Sequence, residues 1–115
     1  MRCRSLLSFL SPLWLLALTL VGCISEDDFP TEFTAVSCDL AMECQGSSVS
    51  LFETRAQCEE FYAEALSIWT AECDYDPYKG RDCVQAMADA TCDDRDAIGD
   101  ACEVVYTGPD CAWSQ

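Results

Sequence analysis

The chain has 115 residues, room for one domain at most. Six Lys and Arg stand against 21 Asp and Glu, a formal net charge of −15, and there is no histidine. The charge repels phosphates and excludes nucleic acid as an expected partner; the missing histidine excludes Ser–His and Cys–His nucleophile systems.

The first 22 residues differ in kind from the rest. Arg2 and Arg4 give a basic start, an apolar run follows from Leu6 to Leu20, and no acidic residue appears before Glu26. A basic segment followed by a short apolar one reads as a secretory signal. The run is short for the roughly 20 apolar residues a membrane span needs, and Pro12 interrupts it. It ends in Leu20-Val21-Gly22-Cys23, which resembles the lipobox of bacterial lipoproteins. That resemblance implies a diacylglyceryl group on the sulfur of Cys23 and cleavage just before it. The expected organisation is a signal peptide over 1–22, a lipidated N-terminus and acidic tether over 23–33, and a cysteine-rich helical domain over 34–115. A disulfide-bonded Cys23 is the competing reading.

Cleavage removes Arg2 and Arg4, leaving four cations against all 21 acidic residues, a formal charge of −17. The link to a membrane is then expected through the lipid on Cys23. Ile24 and Ser25 follow the cysteine, where an aspartate retains lipoproteins in the inner membrane of common Gram-negative models, so the expected address is the cell envelope with the outer membrane favoured.

Setting Cys3 and Cys23 aside leaves Cys38, Cys44, Cys58, Cys73, Cys83, Cys92, Cys102 and Cys111. An even number in a short exported chain reads as a disulfide framework. No Cys-x-x-Cys pair and no histidine accompany them, which argues against zinc and against a thioredoxin-like site. No metal site and no cofactor are expected. Each disulfide adds about 2–4 kcal/mol to a domain with a thin core margin.

Three to four short helices are expected in an all-α, disulfide-stapled bundle. The first covers about 34–45, with Phe33, Val36, Leu40 and Cys44 on one face and Gly46 as a stop. Residues 24–31 show no apolar periodicity and contain Pro30, which reads as tether. The second helix starts at a capping box of Thr54 and Gln57 and carries Cys58, Phe61, Tyr62, Ala65, Leu66 and Trp69 as one stripe. It fades near Cys73, where Asp74-Tyr75-Asp76-Pro77 reads as a breaker. The third and fourth helices are expected from Asp82, boxed with Gln85, and from Asp100, boxed with Glu103, with no strand alternation anywhere. Cys83 to Cys92 repeats the spacing of Cys102 to Cys111, though not the other residues, which leaves open a duplicated helix-and-staple unit or a coincidence.

Bridged cysteines need Cα atoms within about 7 Å. At 1.5 Å per residue, Cys38 and Cys44 would lie roughly 9 Å apart, Cys83 and Cys92 roughly 13 Å, and Cys58 and Cys73 more than 20 Å. Each helix should therefore staple to a neighbour. An up-down-up order gathers Cys44, Cys58 and Cys92 at one end and Cys38, Cys73 and Cys83 at the other. Cys44 to Cys58 closes the shortest turn and is the favoured pair.

No motif corresponds to a named activity, and the expectation is a non-enzymatic binding or structural module. Two acidic loops raise the alternative of a calcium-dependent module. Asp94-x-Asp96-x-Ile98-Gly99 matches an EF-hand loop at positions 1, 3 and 6, but Ile98 and Val105 stand where ligands are needed; Asp74-x-Asp76 lacks the glycine. A small hydrolase or inhibitor is a third reading, since carboxylate pairs are plentiful. Tyr75, Tyr78, Tyr106 and Trp113 are expected to cover disulfides and close the core. The whole pattern resembles the small cysteine-rich bacterial lipoproteins, down to the ending Tyr106-Thr107-Gly108-Pro109-Asp110-Cys111; the resemblance implies no catalytic residue.

Overall fold

The computed structural model describes residues 22–44, 52–93 and 95–113. Among these it is mostly helical, as the sequence implies: α1 Phe29–Glu43, α2 Arg55–Trp69, α3 Pro77–Asp89 and α4 Arg95–Cys102, with a short ribbon of β1 Asp74–Tyr75 and β2 Tyr106–Thr107.

α1 begins five residues before the expected start, so residues 29–33 are helix rather than tether. Pro30 sits at the helix start, where its missing N–H costs nothing, and Glu32 in the first turn complements the positive end of the helix dipole. The Ser25 carbonyl accepts from the N–H of Asp28 (3.1 Å) and of Phe29 (3.0 Å) and closes the entry turn. Phe29 is 0% exposed and anchors the core, so the folded domain reaches back well before residue 34.

α2 starts where the sequence places it. The Thr54 hydroxyl accepts from the Gln57 N–H (3.2 Å), and the Gln57 side-chain oxygen accepts from the Glu53 N–H (3.0 Å). α3 starts at Pro77, not Asp82. Asp76 is its cap, with Oδ1 accepting from the N–H of Tyr78 (3.0 Å) and of Lys79 (3.1 Å). The Asp-Pro pair is thus a helix start, a cap followed by proline at the first position. α4 runs from Arg95, so Asp100 lies inside it rather than at its start. The short ribbon, absent from the expected all-helical pattern, pairs Asp74 with Thr107 and Tyr75 with Tyr106, extended by Asp76 N–H to Val105 carbonyl at 2.9 Å.

Contacts between helices fix their directions. α2 runs antiparallel to α1, with Cys38 bonded to Cys58 and the rings of Phe33 and Tyr62 5.7 Å apart. α3 runs parallel to α1: Ile24 N–H meets the Pro77 carbonyl at 3.1 Å, and Cys44 is bonded to Cys92 at the far end. Between these points the buried Ser37 hydroxyl approaches the Met87 sulfur at 3.7 Å. The core joins Phe29, Phe33, Leu66, Val84, Met87, Val105 and Tyr106 with Cys83, Cys102 and Cys111. Phe29 lies within 6.0 Å, centroid to centroid, of Phe33, Tyr75, Tyr106 and Trp113, an aromatic nest of tilted and edge-on pairs.

The disulfides between described residues are Cys38–Cys58, Cys44–Cys92, Cys73–Cys111 and Cys83–Cys102. None of the three pairs that helix geometry forbids is formed. The favoured Cys44–Cys58 pair is not formed either. With α1 starting at Phe29, Cys38 sits in mid-helix opposite the first turn of α2 and takes Cys58, while Cys44 at the helix end reaches the chain beyond α3. The repeat of cysteine spacings carries no duplicated staple, because Cys83 bonds across to Cys102 and Cys92 to Cys44.

Candidate functional site

Cys23, the expected lipidation site, lies at one end of the bundle and is half-buried. Its sulfur is disulfide-bonded in the full-length chain. The cysteines from Cys38 to Cys111 pair among themselves, so Cys23 is bonded to none of them. The next residue is already part of the fold. Ile24 packs against the core, donates its N–H to Pro77 and accepts a 2.6 Å hydrogen bond from the Tyr75 hydroxyl. This junction was invisible to periodicity, because Ile24 stands alone among polar residues; its signal was an apolar residue directly after the cysteine.

A groove of about 530 Å³ runs between α1 and α2. Thr31, Thr34, Ala35, Ala63, Ser67 and Thr70 give it small walls over Leu66. Arg55 lines it as well, its guanidinium donating to the Asp39 carboxylate, to Glu59 at 2.9 Å and to the Ala35 carbonyl at 3.3 Å. Those hydrogen bonds raise its pKa above the usual value, Asp39 contributing most. The carboxylates nearest the groove thus brace two helices, and sequence reading missed this because Asp39 and Arg55 are 16 positions apart.

No known protein family, curated protein or solved structure matches the chain.

The acidic loops are placed in part. Asp74 pairs in the ribbon and Asp76 spends one carboxylate oxygen on the α3 cap. Asp94 and the side chain of Asp96 lie outside the described residues. Among the described residues no group of three or more Cys, Asp or Glu converges as a metal cage would require. Of the loop aromatics, Tyr106 is buried, Tyr75 and Trp113 pack on the core, and Tyr78 is half exposed. Burial pushes the Tyr106 hydroxyl up to about 12 and the Tyr75 hydroxyl higher still, with neighbouring charge adding to both. The Trp113 indole N–H donates to the Cys102 carbonyl at 2.6 Å and ties the C-terminal turn over the Cys83–Cys102 bond.

Proposed function

We propose that this chain is the precursor of an exported bacterial lipoprotein whose mature part, from Cys23 onward, is a non-enzymatic binding or structural module of the cell envelope, favouring the outer membrane. The observation that carries the reading is a coincidence of two boundaries. Leu20-Val21-Gly22-Cys23 has the form of a lipoprotein cleavage site, and the first described residue that packs against the core, Ile24, comes directly after it. Every described core residue, and every one packed against it, lies after the cleavage point. The four disulfides of the domain suit an oxidising compartment. Among the described residues no helix is long and apolar enough to cross a membrane; attachment rests on the lipid, and several acyl chains together anchor stably.

A thioether and a disulfide exclude one another on a single sulfur, so the state of Cys23 decides the matter. In a bacterial host the mature protein is expected to take up labelled fatty acid, and its N-terminal peptide to show Cys23 carrying the lipid. Cys23→Ala abolishes the label and leaves the signal uncut. An intact N-terminus with Cys23 still in its disulfide, or label persisting in the alanine variant, refutes the proposal.

A further inference from the structure

A lipidated cysteine is usually pictured on a flexible leash, and the acidic residues after Cys23 look like one. The fold removes the slack. Ile24 is held by its N–H on Pro77 and by Tyr75 on its carbonyl, and Phe29 is fully buried five residues later. A chain spans at most about 3.6 Å per residue, so the sulfur of Cys23 lies within one residue of fixed structure. Lipid on that sulfur holds one end of the bundle against the bilayer surface.

That end has its own chemistry. It collects the N-termini of α1 and α3, the C-terminus of α2, and the ribbon. Four large hydrophobic side chains are exposed among the described residues, and three belong to it: Ile68 (68%) at the end of α2, Tyr78 (50%) in the first turn of α3, and Val104 (41%) just before β2. The fourth, Phe61, sits at mid-helix against Phe52, Tyr62 and Trp69. Two of the four cations of the chain after residue 22, Lys79 and Arg81, lie in the first two turns of α3. The Arg81 guanidinium is 3.6 Å from where a Cβ on Gly22 would stand, directly beside the point of attachment.

We infer that this end of the bundle is seated in the head-group layer of a phospholipid bilayer, so that the domain has one fixed orientation rather than swinging on a leash. The inference rests on the proposed lipidation of Cys23. Tyr78 suits the interface, where an amphipathic ring keeps its hydroxyl wet. Ile68 and Val104 lose water contact there, and the long side chains of Lys79 and Arg81 reach lipid phosphates while their stems stay apolar. Glu26, Asp27 and Asp28 flank the same end, so the suited surface is zwitterionic rather than anionic. The opposite end, with Cys44, Cys92 and the start of α2, then faces away from the membrane and is presented to partners.

The test places a photoreactive benzophenone amino acid at position 78, or at the exposed Gln57 of the opposite end, in the full chain, purified after processing and reconstituted in phosphatidylcholine vesicles. Irradiation is expected to give lipid adducts at position 78 at least fivefold above those at position 57. Ten Gly and Ser residues inserted between Cys23 and Ile24 should bring the yield at 78 down to that at 57, with acyl labelling unchanged. Equal yields at 78 and 57 in a labelled, membrane-bound protein overturn the inference, and so does a yield at 78 that ignores the insertion. Absence of acyl label on the parent chain is a different outcome and sinks the lipidation reading itself.

Discussion

At Gly80 a methyl group has nowhere to go. A Cβ there would lie 2.2 Å from the Tyr75 hydroxyl oxygen and 2.9 Å from its ring carbon. The tyrosine does not yield easily, because its hydroxyl is bonded to the Ile24 carbonyl at 2.6 Å. Alanine gains about 1 kcal/mol over glycine in a helix interior, but overpacking costs about 1–3 kcal/mol, and here the clash wins. Gly80→Ala is expected to lower stability by about 1–2 kcal/mol in denaturant titration. Tyr75→Phe alone loses about 1 kcal/mol with its hydrogen bond. In the double variant the costs should be less than additive, because the atom nearest the methyl has gone; strict additivity would show that the two positions do not meet. The sequence could point to Tyr75 as a core-closing aromatic but not to this contact. An isolated glycine in a helical pattern names no neighbour, and residues 24, 75 and 80 meet only once α1 and α3 lie side by side.

At the scale of elements, the sequence is most legible where the local signal is unambiguous. The Thr54–Gln57 start of α2 forms in the structure and most of its stripe turns inward, but Phe61 is exposed, and the buried face of α1 is Phe29, Phe33, Ser37 and Cys38, of which the expected stripe held only Phe33. Pro30 and Pro77 mark the limit of such reading. Proline ends a helix from inside and begins one at its first position, and the residues just before it decide which. Asp76 as a two-hydrogen-bond cap settles it at α3, and at α1 the buried Phe29 does, a contact that is tertiary and has no local signature. The same shift of α1 explains the disulfide pairing, since it moves Cys38 from a helix end to its middle. Burial then orders the chemistry of these bonds. Cys83 and Cys102 lie in the core, Cys38 and Cys58 are fully buried, and Cys92 is exposed. Limited reduction of the native protein followed by alkylation is expected to open Cys44–Cys92 first and Cys83–Cys102 late, read by peptide mass mapping. Early loss of Cys83–Cys102 would mean that α4 swings away from α3 before the rest of the domain loosens.

For the whole molecule, the aromatic nest sets an alkaline limit. An unfolded chain releases phenolic protons near pH 10, whereas the folded chain holds that of Tyr106 to about 12 and that of Tyr75 beyond, mainly through burial. Above pH 10 the unfolded form therefore binds fewer protons than the folded one, and stability falls as pH rises. Their contribution is complete below about pH 10 and is lost through the folded-state values. Rapid denaturant titrations at pH 8 and 11 should show the loss, and Tyr75→Phe should reduce its slope; a stability unchanged at pH 11 would contradict the burial of these hydroxyls. The pattern of bonds along the chain has a consequence of another kind. The intervals 38–58, 44–92, 73–111 and 83–102 overlap without a gap, so every peptide bond from Cys38 to Cys111 lies inside at least one covalent loop. A single proteolytic cut anywhere in that stretch nicks the protein but sheds no piece of it. The stretch between Cys23 and Cys38 has no such protection, and a cut there would separate the domain from the anchor proposed at Cys23. The fold withdraws most of that stretch from attack, winding it from Phe29 on into α1 with Phe29, Phe33 and Ser37 buried, and leaves Glu26, Asp27 and Asp28 exposed.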